Sequence, residues 1–147
     1  MIYQGMCDSF KQELLSGVHD FTALGAQEFK IALYGSSAEI GSETTAYTST
    51  GEITSDGYTA GGKILSGQVV RVSNGIAYID FDDSTWTDAG LSFTTRGAMI
   101  YNSSAGLGNA AVCVLDFGMN IEALASFTVT MPLPEPETAV IRIGRDT

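Results

Sequence analysis

Histidine is nearly absent from this sequence: His19 is the only one among 147 residues. A metal site built on several imidazoles within one chain is therefore excluded. The two cysteines, Cys7 and Cys113, lack the close spacing of zinc ligands. They are far apart, and Cys113 sits in the apolar run from Ala110 to Leu115, which reads as a reduced core thiol and not as part of a disulfide framework. A Ser–His–Asp triad would have to be built on His19, and no Gly-x-Ser-x-Gly elbow accompanies it. His19 falls in Gly17-Val-His-Asp-Phe21 and reads as a turn histidine bonded to Asp20 or to backbone.

Charge is also scarce. Charged residues make up 16% of the chain, against roughly 25% in ordinary globular proteins. Lys and Arg total 7 against 17 Asp and Glu, a formal charge of −10. A field of that sign repels phosphate backbones and anionic lipid, so neither nucleic acid nor membrane is expected as a partner. No segment approaches the roughly 20 apolar residues of a membrane-spanning helix, and the N-terminus lacks a signal-type apolar region. Proline is rare (3), whereas Gly (17), Ser and Thr are abundant. Short strands joined by glycine turns account for that mixture, and the aromatic and β-branched content argues against disorder.

The periodicity agrees. Asp8 to Gly17 predicts one short helix, about residues 8–16, capped by Asp8 or Ser9, with Phe10, Leu14 and Leu15 at helical spacing and Gly17 as the left-handed exit. From Phe29 the period becomes two, and Phe29 to Tyr34 reads as a half-buried strand. Residues 35–62 are polar and loop-like, with a weak strand near Thr44 to Thr50 and a tight turn at Gly61-Gly62. Strands follow at Ile64 to Ser73 and Ile76 to Phe81. Asn74-Gly75 between them is the strongest short-range hairpin signal in the chain. Further strands are expected at Leu91 to Asn102, Asn109 to Phe117, Phe127 to Met131 and Ala139 to Ile143. Pro132, Pro134 and Pro136 separate the last two. The pattern predicts an all-β fold: one two-sheet β-sandwich, jelly-roll-like, with a short N-terminal helix and flexible termini, spanning residues 1–147.

Few residues offer chemistry. Asp80, Asp82 and Asp83, with Asp88 nearby, form the main acidic cluster. Their spacing is not that of an EF-hand loop, and an acidic strand end that meets a basic partner is the plainer reading. Gly106-Leu-Gly108 lacks the third glycine of a dinucleotide fingerprint and reads as a turn. Trp86, among polar residues, is either a core tryptophan or an exposed anchor for a protein or sugar. Arg96, inside the run Phe93 to Ile100, requires an acidic partner, with Asp80 and Asp116 as candidates. No catalytic, cofactor-binding or metal-binding residue is assigned. The candidate contact residues are Phe10, Leu14, Tyr47, Tyr58, Asp82, Asp83, Trp86 and Pro134.

The opening Asp8-Ser-Phe-Lys-Gln-Glu-Leu-Leu-Ser-Gly-Val-His-Asp-Phe21, followed by Phe29-Lys-Ile-Ala-Leu-Tyr34, resembles a group of small tailed-phage virion structural proteins. Gly57-Tyr-Thr-Ala-Gly-Gly-Lys63, Thr85-Trp-Thr87, Thr95-Arg-Gly-Ala98, Ile100-Tyr-Asn102, Leu115-Asp-Phe-Gly118 and Ala139-Val-Ile-Arg-Ile143 extend the likeness along nearly the whole chain. The resemblance implies a non-enzymatic capsid cement or decoration protein, made in the host cytoplasm. It would sit as a dimer or trimer on the capsid exterior, against the major capsid protein. A tail or head–tail component and a carbohydrate-binding sandwich module are the alternatives. The N-terminal arm, the 35–62 loop and the Pro-containing C-terminal segment are the expected contact elements, since each can order on a neighbour.

Overall fold

A computed structural model describes residues 1–144. The chain runs β1 (Gly5–Met6), α1 (Asp8–Leu15), β2 (Phe29–Tyr34), β3 (Lys63–Ile64), β4 (Val69–Ser73), β5 (Ile76–Asp80), β6 (Ser84–Asn102), β7 (Ala110–Val129) and β8 (Ile141–Ile143). These strands form an all-β, two-sheet sandwich. One sheet is five-stranded in the order β1-β7-β6-β2-β3, and the other three-stranded in the order β4-β5-β8. All named pairs are antiparallel.

The expected helix is present, with a different start. Cys7 occupies the N-cap position and no side chain caps the helix. Asp8 lies instead in the first turn, where its carboxylate accepts from Lys11 at 2.9 Å. At the far end Gly17 adopts φ +75°. Its N–H donates to the Leu14 carbonyl, and that of Val18 to the Glu13 carbonyl. That pairing is a Schellman closure, which the glycine permits.

Asn74 and Gly75 form the expected hairpin turn. Both have positive φ (52° and 76°), and Ser73 pairs directly with Ile76. That geometry matches the right-handed twist of the flanking strands. By contrast, three separately expected segments merge into one long hairpin. Residues 84–90 join Leu91–Asn102 in β6, and residues 118–126 bridge two segments in β7. Periodicity fails there because both strands are bulged. Residues 117–120 of β7 stand opposite Arg96 alone, and residues 88–91 of β6 stand opposite Ala125 alone. The two bulges are equal in length and on opposite strands, so the register before the first is recovered after the second. Each bulge breaks the alternation by which a strand is read.

The core lies between the sheets and under α1. Phe21 and Phe29 stack at 4.3 Å, Phe10 meets Phe21 edge-on at 5.9 Å, and Phe81 closes the group from the strand side. Phe10 was a candidate contact residue on the surface. It is fully buried instead, and its ring fastens α1 to the sandwich. Leu15, one turn on, is exposed. Both thiols are also buried, and desolvation pushes Cys7 up to about 11 and Cys113 up to about 12, so neither is a nucleophile near neutrality. Phe10→Ala is expected to cost about 3–4 kcal/mol by urea unfolding, whereas Leu15→Ala stays within about 0.5 kcal/mol.

Candidate functional site

The connection from β2 to β3 covers residues 35–62 and was expected to be an adaptable loop. It is held in place by one carboxylate. Glu52 Oε2 accepts from the Tyr47 hydroxyl at 2.6 Å, and Oε1 accepts from the Tyr58 hydroxyl at 2.7 Å and the Gly61 N–H at 2.8 Å. The Tyr58 oxygen in turn accepts the N–H of Leu33 at 2.9 Å. The Leu33 carbonyl takes the N–H of Ile53, and Gly35 N–H reaches the Gly51 carbonyl. Thus β3 pairs only with Lys30 and Ile31, and the loop supplies the hydrogen bonds that the rest of the β2 edge lacks.

Tyrosines complete the arrangement. Tyr34 donates to the Thr48 carbonyl at 2.7 Å, and Tyr101 donates to the Gly61 carbonyl at 2.6 Å while stacking on Tyr47 at 4.9 Å. Gly62 has φ +81°, and a Cβ there would overlap the Ile31 carbonyl. Burial raises the hydroxyls of Tyr34, Tyr47 and Tyr58 well above the ordinary tyrosine value, and Glu52 adds to the effect. Tyr101 is pushed up to about 12, again by burial first and Glu52 second. Held protonated, these groups donate to a fixed acceptor; they do not move protons near neutrality.

A second polar group lies beneath α1. His19 is buried, and its Nδ1 accepts from Asn102 Nδ2 at 3.0 Å; the same amide donates to Gln27 Oε1 at 2.8 Å. That fixes the proton on Nε2, which faces Glu13 Oε1 at 3.7 Å, beyond hydrogen-bond reach. The bonded partner is thus Asn102, with Glu13 close by, and not Asp20, whose carboxylate instead accepts from Thr22. Desolvation lowers the His19 pKa, opposed by Glu13.

The third region is a surface groove of about 530 Å³, between the β4–β5 end and residues 130–134. It gathers Asp82, Asp83 and Pro134 of the candidate contact residues with Val69, Arg71 and Leu133. Asp82 and Asp83 are exposed, and Asp83 Oδ1 accepts the Met131 N–H at 2.7 Å, which fixes where this segment leaves β7. Asp80 is buried, with its pKa raised mainly by desolvation, and its Oδ1 accepts the Phe81 N–H. Among the described residues no three His, Cys, Asp or Glu side chains are grouped to hold a metal ion.

The other candidates lie elsewhere. Trp86 is 5% exposed, between Tyr58 at 6.0 Å and Phe127 at 6.3 Å, with the Lys63 ammonium 5.8 Å from its ring centroid. It is a core tryptophan, and Tyr58 is buried beside it. Tyr47 is half-buried at Glu52, and Leu14 lines a separate apolar groove with Phe21, Val70 and Ile143. Arg96 Nε pairs with Asp116 at 2.9 Å, as one of the two expected partners. Asp116 also accepts the Gly118 N–H, and these bonds hold its carboxyl below the ordinary range. The N-terminal arm is sewn down: Tyr3 N–H donates to the Ile40 carbonyl, and Gly5 and Met6 pair with β7. No residue pattern announced Glu52, because its partners are separated from it by irregular chain.

No helix among the described residues is long and apolar enough to cross a membrane. No family model, curated protein or solved structure matches the chain.

Three measurements test these networks. Glu52→Ala strands two hydroxyls and an N–H, so it is expected to cost about 2–4 kcal/mol by chemical denaturation, with Glu52→Gln intermediate. The tyrosines gain protons on folding relative to the unfolded chain above pH 10. Their contribution is therefore complete below pH 10 and lost as pH rises toward 12, which ultraviolet titration of tyrosinate follows. For His19 the sign is opposite: its folded pKa lies below 6.5, so stability falls as pH drops below 6.5. His19→Gln is expected to flatten that part of the stability profile.

Proposed function

We propose that this protein is a non-enzymatic virion structural protein that binds and stabilises a phage capsid as a cement or decoration protein. The observation that carries the reading is the groove that collects Asp82, Asp83, Leu133 and Pro134 at one surface. Carboxylates beside exposed apolar side chains suit a partner that presents Lys or Arg within an apolar surround. The titratable groups with displaced pKa values support it too, since Tyr58, His19 and Asp116 are each engaged in holding chain segments together. Such a scaffold offers a fixed surface, and many copies on one shell multiply modest contacts.

The likeness of Asp8–Phe21 and Phe29–Tyr34 to small tailed-phage virion proteins points the same way. The partner is then the major capsid protein, and the site of action the capsid exterior. A sugar-binding module needs Trp86 at the surface, and the burial of that ring removes its main support.

Purified protein is expected to co-sediment with preformed capsids and to raise the temperature at which they release DNA. Replacing Asp82 by Lys, with Asp83 kept for its bond to Met131, is expected to reduce capsid binding by about tenfold without altering the fold. Protein that ignores capsids but joins tails overturns the cement reading in favour of a tail component.

A further inference from the structure

The edge strand β4 is exposed in an unusual way. Val70 and Val72 (74% exposed) lie on one face of the three-stranded sheet, and Val69 lies on the other. One edge of β4 pairs with β5, and the other has no strand beside it among the described residues. In a two-residue hairpin of this kind Ser73 and Ile76 exchange backbone hydrogen bonds. Alternation then turns the N–H and C=O groups of Val70 and Val72 outward. An open edge flanked by valines is a template for another strand.

The other long free edge is guarded. Along β7 the N–H of Asp116 is taken by the Gln4 side chain, that of Gly118 by the Asp116 carboxylate, and residues 117–120 are bulged. Nothing comparable protects β4, whose single charge is Arg71.

That charge selects the occupant. Arg71 shares its face and groove with Asp80, Asp82 and Asp83, yet makes no ion pair within its own chain among the described residues. We infer that β4 pairs antiparallel with β4 of a second copy, about a two-fold axis through Val70, joining the two three-stranded sheets into one. Three registers satisfy the outward backbone groups. An axis at Arg71 sets arginine against arginine. An axis at Val72 sets Arg71 opposite Ser73, away from the carboxylates. An axis at Val70 sets Arg71 of each copy opposite Val69 of the other, on the side where Val69 pairs with Asp80 and the groove opens. Only this register directs the cation of each copy to the acidic rim of its partner. It also places the two grooves on one face of the joined sheet. The inference does not depend on the capsid reading, since it concerns the free protein.

Sedimentation equilibrium of the purified chain tests it, with dimers expected at micromolar to submillimolar concentration. Val70→Pro removes an outward N–H without touching the β5 ladder, and it is expected to yield monomers with an unchanged circular dichroism spectrum. Arg71→Glu is expected to weaken association by at least about tenfold. In the proposed register two Val70 positions have Cα atoms about 5.5 Å apart, so Val70→Cys is expected to form a disulfide dimer under mild oxidation. Val72→Cys places its sulfurs too far apart to bond. A wild-type chain that stays monomeric up to about 500 μM, or dimers unaffected by Val70→Pro, overturns the inference. Disulfide dimers from Val72→Cys and not from Val70→Cys overturn the register.

Discussion

The structure depends on the Glu52 carboxylate more than on any other single polar group. A strand needs partners for its backbone, and β2 has a full one on the β6 side only. On the other side the chain departs into a long, irregular stretch, which by itself would leave Leu33 and Gly35 without partners. Glu52 converts that stretch into a substitute strand. It draws Tyr47, Tyr58 and Gly61 to one point, and Tyr58 carries the connection through to Leu33 N–H. The carboxylate is placed where charge-assisted hydrogen bonds are strongest, among hydroxyls already shielded from water. Without it, loop and sheet edge would separate together.

Much of the fold was legible in the sequence because it is written in local rules. Gly17 after a helical run, Asn74-Gly75 between β-rich runs and the alternation of Phe29, Ile31 and Leu33 each act within a few residues. Arg96 was legible for another reason: a cation in an apolar-flanked strand demands a carboxylate, and Asp116 supplies it. What was hidden depends on long-range register. Bulges opposite Arg96 and Ala125 erase the period that would have shown β6 and β7 as single strands. Phe10, Tyr58 and Trp86 were plausible surface anchors by type, yet only tertiary packing decides whether an aromatic near a polar run faces in or out. The acidic strand end was read in outline, but its apolar neighbours were not: Leu133 and Pro134 reach Asp82 and Asp83 only because Asp83 fixes the chain at Met131.

The surface is divided in the same uneven way as the interior. Segments that sequence alone marks as adaptable, the N-terminal arm and the 35–62 connection, are tied by backbone bonds to Ile40, Asn109 and the β2 edge. The open apolar positions fall on regular structure at β4, while Asp82, Asp83, Leu133 and Pro134 lie on the short irregular stretches that follow β5 and β7.

The matched bulges of the β6–β7 hairpin carry a consequence for how the molecule can vary. Two strands of 19 and 20 residues would ordinarily be free to slide against each other. Here 117–120 and 88–91 act as opposed stops, each filling a place that a shifted strand would need. A length change of one residue between the stops would turn the inward row of Leu91, Phe93 and Ala123 toward water. Length can change more freely at residues 105–108 of the connecting turn, since Ser103 and Ser104 are bonded to Glu28 and Asn109 to Tyr47. The hairpin behaves as a keyed shaft: it can be extended at its tip, but not re-indexed along its length.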